Sequence, residues 1–189
     1  MELSMQNFPL VRGIKMKMNL QLFAEAVQGK RIIYLFRPIS KAGTNAAAAM
    51  AFVTENERSK SKDSDTVATK DGSIRVPGAA EVEITATALV AKGDTMIDDL
   101  EAAMDNDEIV EVWEANLDEA VEDGQNQFKG AYYQTYLTEL TLSSSSEDHA
   151  EYSTTFAVNG TGAKGNVTVS AEQQAVADYV FKDTQKTGA

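Results

Sequence analysis

Apolar and polar residues alternate along most of this chain and recur at helical spacing only once. Glu81 to Ala91 (EVEITATALVA) places Val82, Ile84, Ala86, Ala88 and Val90 on one side and Glu83, Thr85 and Thr87 on the other. That period of two predicts a half-buried strand. Arg31 to Ile39 (RIIYLFRPI) is rich in β-branched and aromatic residues and closes on Pro38, which reads as another strand. In Ala46 to Glu55 alanine favours helix by propensity, but the length and the Phe52-Val53-Thr54 end point to a strand facing a close neighbour. Further extended segments are expected in EIVEVWEANL, from Phe128 to Ser143, in AEYSTTFAVNG, in GAKGNVTVS and from Val176 to Phe181. Only GDTMIDDLEAAMDN changes period. Met96, Ile97, Leu100, Ala103 and Met104 fall on one helical face, Asp94 is placed to cap, and Asp98 and Asp99 sit near the positive end. About eight strands and one helix follow. The fold expected is mainly β: an antiparallel sandwich or barrel with a helix on its flank.

One stretch does not fit a compact domain of that kind. From Ser59 to Gly78 (SKSKDSDTVATKDGSIRVPG) the chain is polar and charged. Loops longer than about 12–15 residues without structure of their own are uncommon and usually functional or disordered. Thr66 to Ala68 and Ser73 to Val76 flank Asp71-Gly72, a dipeptide suited to the positive φ of a hairpin turn. The segment therefore reads as a charged lead followed by a β-hairpin arm, ordered by other copies of the same protein. Leu20 to Lys30 suits a short helix or an extended arm. Residues 1–17 form an N-terminal extension: a floppy arm, a start codon assigned early, or an arm that docks on a neighbouring subunit.

Composition narrows the chemistry. The 189 residues suffice for one domain with its own core. There is no cysteine, which removes disulfides, thiolate metal sites and thiol nucleophiles. The net charge of −12 argues against a basic surface for nucleic acid or for an anionic membrane. No apolar run approaches the roughly 20 residues of a membrane span, and nothing directs export. His149 is the one histidine and lies in a polar turn, where adjacency to serines and Asp148 does not make a triad. The acidic clusters at Asp63/Asp65, Asp94/Asp98/Asp99, Asp105/Asp107/Glu108 and Glu119/Glu122/Asp123 do not match a calcium loop. Asn159 and Asn166 fall in glycosylation sequons by chance, and no phosphate-binding glycine motif is present. Trp113, Tyr132, Tyr133, Tyr136 and Phe156 at strand spacing suit a core or a subunit interface. The chain reads as a non-enzyme with no cofactor and no metal.

Several segments together resemble the major tail proteins of long, non-contractile bacteriophage tails: GKRIIYLFRP, TENERSKSKDSDTVATKDGSIRVPG, EVEITATALVAKGD, IVEVWEANL, GAYYQTYLTEL, FAVNGTGAKGNVTVS and ADYVFKDT. SKDSDTVATKDGSIRVPG is the most specific of them. The resemblance covers roughly Met18 to Thr184. It implies a tail tube domain over 18–184, with a short tail at 185–189 and an assembly loop over 54–78. It also implies hexameric rings stacked into a tube in the virion tail, assembled in the cytoplasm of a bacterial host. DNA would leave through the lumen without specific binding. Tape-measure, tail-tip and terminator proteins are the other partners implied. Ser59, Lys60, Lys62, Asp63, Asp65, Thr66, Lys70, Asp71, Gly72 and Arg75 are then expected to contact neighbouring subunits or rings. A monomeric β-sandwich binding or adhesion domain is the alternative.

Overall fold

A computed structural model describes residues 26–122 and 124–177. The expected N-terminal extension over 1–17, the segment up to residue 25, Asp123, residues 178–181 of the expected last strand and the tail at 185–189 lie outside the described residues. Among the described residues seven strands and two α-helices run in the order β1 (Ile32–Pro38), β2 (Val53–Thr69), β3 (Gly72–Leu89), α1 (Met96–Asp105), β4 (Val110–Ala120), β5 (Gln127–Ser143), β6 (Glu151–Val158), β7 (Ala163–Thr168) and α2 (Ala171–Ala177).

All the strands belong to one antiparallel sheet, ordered β1-β4-β5-β6-β3-β2, with β7 beside β5. Strand β5 is long enough to serve two partners in succession. Gln127–Tyr132 pairs with β7 and Thr135–Ser143 with β6, both on the side away from β4. Gly130 allows this crowding: a Cβ there would run into the Glu114 carbonyl and the Val167 side chain.

The sheet folds over on itself. Phe36 of β1 and Phe156 of β6 are both fully buried, and their rings stack with centroids 5.1 Å apart. Two strands separate them in the sheet, so a flat arrangement would hold them about 14 Å apart. The fold-over encloses a core of Tyr34, Phe36, Val82, Ile84, Ala86, Ala88, Val110, Val112, Tyr133, Leu137 and Phe156. Helix α1 closes it with Ile97, Leu100 and Ala103. A second cluster of Leu35, Ala115, Leu117, Phe128, Val167 and Val169 lies on the opposite face of β1, β4, β5 and β7. Fully burying an aliphatic or aromatic side chain contributes about 1.5–3 kcal/mol, so these clusters dominate the stability of the body.

The mainly antiparallel architecture with a flanking helix agrees with the sequence. Four details do not. The sheet is open: its end strands β1 and β2 do not pair, so it is not a closed barrel. Ala46 to Ala51, the first part of an expected strand, is not one; only Ala48 bridges to Phe36, while Val53 to Glu55 opens β2. Alanines offer little side chain to pack on a pleated surface, and at Phe52 the chain turns into β2 with φ of 49°. Val176 and Ala177, expected to open a last strand, lie in α2. A capping box starts that helix: Ser170 Oγ accepts from the Gln173 N–H (3.2 Å) and Gln173 Oε1 accepts from the Ser170 N–H (3.0 Å). Val90, expected on the buried face, is exposed. The expectation at Asp94 holds in part: the N-cap residue of α1 is Thr95, and Asp94, one position earlier, accepts from the Met96 N–H through Oδ1 at 2.9 Å and from the Ala51 N–H through Oδ2 at 3.2 Å.

Candidate assembly surface

The polar excursion is strand on both sides of a two-residue turn. Strand β3 pairs with β6 only from Glu83 to Leu89, whereas its pairing with β2 continues to Gly72. Among the described residues strand β2 has β3 as its only partner. Beyond Glu83 the two strands therefore leave the body as a free ribbon. At about 3.4 Å per residue, the stretch from Ser59 to Thr69 reaches roughly 35 Å. Residues 57–79 are all exposed. The turn is Lys70-Asp71, and Gly72 takes the positive φ (134°) as the first residue of β3, one position later than a turn centred on Asp71-Gly72. Thr69 Oγ1 donates to the Gly72 carbonyl at 2.6 Å.

Each residue expected to contact neighbours lies on this arm. Ser59, Lys60, Lys62, Asp63, Asp65 and Thr66 are on β2, Lys70 and Asp71 form the turn, and Gly72 and Arg75 are on β3. An isolated two-stranded hairpin is marginally stable in water, so an arm of this length needs a surface to lie on.

The register assigns every arm side chain to a face. Arg58 pairs with Ile84, Lys60 with Val82 and Lys62 with Ala80, which places those cations on the face that, nearer the body, covers the core. Between Lys62 and Ser64 the extra residue lies on β3, so the alternation of β2 runs on unbroken. Ser64, Thr66 and Ala68 continue the same face with Pro77, Arg75 and Ser73, and Arg75 Nη1 donates to Ser64 Oγ across it at 3.1 Å. The opposite face carries Glu57, Asp63, Asp65, Glu81 and Glu83, and toward the tip Val67, Ile74 and Val76. Those three apolar side chains are about half exposed, Ile74 the most at 53 %. Four cations thus occupy one face and five acids the other.

A polar cluster fixes the arm where it leaves the body. Arg58 Nε donates to Glu114 Oε2 at 2.6 Å, and the Tyr34 hydroxyl donates to the same oxygen at 3.1 Å. Burial raises the Tyr34 phenol above its ordinary value, and the Glu114 carboxylate raises it further. Tyr133 is raised by the same two causes in the same order. The hydrogen bond to Glu114 raises the Arg58 guanidinium. This contact ties β2, one end of the sheet, to β4 near the other end. Next to it the open seam between β1 and β2 leaves a groove of about 920 Å³, with Ile32, Ile33, Met50 and Val53 in its walls and Phe52, 70 % exposed, at its edge.

The sequence reading missed the apolar tip, Phe52 and the two-faced charge. The last had a signal: in ERSKSKDSDT, Arg58, Lys60 and Lys62 share one parity and Asp63 and Asp65 the other. His149 lies exposed in the turn before β6. Among the described residues no group of three or more His, Asp or Glu side chains is arranged to hold a metal ion. Among them, too, no helix is long and apolar enough to cross a membrane.

Comparison with known proteins bears on this geometry. The family model described as phage tail tube protein matches residues 26–164. The protein named "Putative tail protein" of Staphylococcus phage phiMR25 is 32% identical over 162 residues, covering 83% of this chain and 82% of that one. Among solved structures, the SPP1 tail tube matches with a TM-score of 0.66 at 19% identity, over 87% of this chain and 95% of that one. The virion of a native gene transfer agent particle matches at 0.55 with 14% identity, over 74% and 99%. The sheath-tube complex of an extracellular contractile injection system matches at 0.53 with 15% identity, over 77% and 94%.

Proposed function

The chain belongs to the phage tail tube protein family, and on that premise we propose that it is a structural protein of the virion tail that self-assembles into stacked hexameric rings. The rings form the conduit through which DNA leaves, and the role is structural, not catalytic. The arm is the observation that carries this reading. It is two long paired strands with no partner beyond each other, on a chain whose body already has its own cores. Such an arm gains its missing contacts from another copy, over the span 54–78. The contact is head to tail, and heterologous contacts of that kind close into rings or continue as filaments. Acidic charge suits the conduit: six copies carry six times the −12 of one chain, and a lumen of that sign lets DNA pass without adhering. Assembly takes place in the cytoplasm of the bacterial host, with tape-measure, tail-tip and terminator proteins setting the start and end of the tube.

The test is to replace residues 61–81 by Asn-Gly, which joins the paired positions Lys60 and Val82 through a two-residue turn. Wild type and variant are compared by negative-stain electron microscopy and light scattering over a concentration series, with and without tail-tip components. The wild type should give rings or tubes with a central channel, and the variant a folded monomer. Tubes from the variant would remove the arm from assembly. A wild type that stays monomeric in both conditions would overturn the tube reading.

A further inference from the structure

The charges of the arm form no ion pair with one another; within the ribbon Arg75 only donates a hydrogen bond to Ser64 Oγ. Ribbon-stabilising ion pairs need opposite charges on the same face, opposite or diagonal to each other. Here Lys60 faces Val82, Lys62 faces Ala80 and Arg75 faces Thr66 on one side, while Asp65 faces Val76, Glu81 faces Ser61 and Glu83 faces Ser59 on the other. No acid of the ribbon shares a face with a cation. Only Arg58 is engaged by the body, through Glu114. Lys60, Lys62 and Arg75 make no ion pair with any described residue.

We propose that the arms of adjacent copies recognise each other through opposite faces, the Lys60/Lys62/Arg75 face of one copy lying on the Asp63/Asp65/Glu81 face of the next. This deepens the reading of the arm as the assembly element, and rests on it, by naming what the arm binds. The argument is charge complementarity in a fixed geometry. Alternate residues of a strand are about 6.8 Å apart. Lys60 and Lys62 therefore have the same spacing as Asp63 and Asp65 and as Glu81 and Glu83. A copy shifted along the ribbon by a few residues and stacked at the usual sheet-to-sheet distance of about 10 Å brings cations over carboxylates. Toward the tip, Val67, Ile74 and Val76 on the acidic face offer apolar surface on which the aliphatic stems of the partner's lysines can lie. Each exposed ion pair contributes only about 0–1 kcal/mol, so the charges set partner, face and register, while apolar burial supplies affinity. Because the two faces differ, the contact is heterologous and each copy has one free face of each sign for the next.

Two charge-reversed full-length variants test this. One carries Lys60→Glu, Lys62→Glu and Arg75→Glu, which reverses every cation of the basic face but the Glu114-bound Arg58; the other carries Asp63→Lys, Asp65→Lys and Glu81→Lys, which reverses three of the five acids of the acidic face. Circular dichroism and thermal melts confirm that each folds. Sedimentation and electron microscopy then follow each variant alone and an equimolar mixture. Each alone should lose assembly, and the mixture should recover it by alternation, with recovery weakening as salt rises. Normal tubes from either variant alone would overturn the proposal while leaving the tube reading intact. A mixture that fails to associate would also overturn it. If the wild type made no tubes but the two variants bound each other, the face-to-face contact would stand and the tube reading would fall.

Discussion

Strand β3 passes through both halves of this molecule, and the halves obey different rules. From Val82 to Ala88 its alternate residues are buried against α1, β1 and β6, and the side chains there are Val, Ile and Ala. From Gly72 to Ala79 the same strand is exposed on both faces, and its residues are Ser, Arg and Pro on one face and Ile and Val on the other. Pairing with β2 runs through both, with irregularities between Val53 and Glu55 and between Lys62 and Ser64. Backbone pairing is thus common to arm and body, and side-chain burial distinguishes them. The body is held by what it excludes from water. The arm is held by its ladder and by a fixed base, and its faces remain available.

The sharpest test of that difference is Phe36→Ala. Phe36 is fully buried and stacks on Phe156, so its loss should cost about 3–5 kcal/mol in chemical denaturation. A cost under about 1 kcal/mol would mean that the fold-over of the sheet does not hold the body. Next comes the junction. Glu114→Gln leaves the Arg58 guanidinium without its carboxylate, and should lower stability by about 1–2 kcal/mol, since Arg58 is partly exposed. The same denaturation curves read it, and an unchanged midpoint would remove the cluster from the account of how the arm is fixed.

Alkaline pH probes the same place more gently. Tyr34 and Tyr133 have raised values in the folded protein, so the unfolded chain ionises first, near the ordinary 10.0. Their contribution is fully present below that pH and is lost as pH rises from there toward the folded values. Melting temperature should therefore fall above that pH, less steeply in Tyr34→Phe than in wild type. Parallel profiles would contradict the assignment. The smallest expected effect on the monomer is at the tip: Ile74→Ser should change stability by no more than about 0.5 kcal/mol, because its side chain is half exposed on the ribbon and outside both core clusters. Assembly measured by sedimentation should nevertheless weaken. A large loss of monomer stability would show that the arm folds back onto its own body.

Much of the fold was legible because its signals are local. The alternation at Val82, Ile84, Ala86 and Ala88, the helical spacing at Ile97, Leu100 and Ala103, and the span of β5 are all visible in the residues and recur in the structure. The capping box at Ser170 and Gln173 was equally local, but VADYVF suggested a strand and drew the reading away from it. Ala46 to Ala51 misled for the opposite reason: alanine carries little information about packing, and the tertiary setting decided. The arm was recognised as a hairpin only at its tip, since polar residues without apolar alternation do not announce a strand. Its pairing came from register propagated outward from β3, a long-range constraint.

What the sequence alone determined is most of the pieces: the alternating segments that extend, the helix around Ile97 to Ala103, the absence of thiol chemistry, the acidic balance, and a polar arm around residues 59–78. It even contained the parity by which cations and acids separate. Only the tertiary structure decided that β1 and β6 face each other, that the sheet stays open, and that Arg58 closes on Glu114. The physical reason is range. Periodicity and capping act over a few residues and are written in neighbouring positions. Curvature, register and ion pairing across the sheet depend on residues far apart in the chain, Arg58 and Glu114 among them, and exist only once the chain has folded.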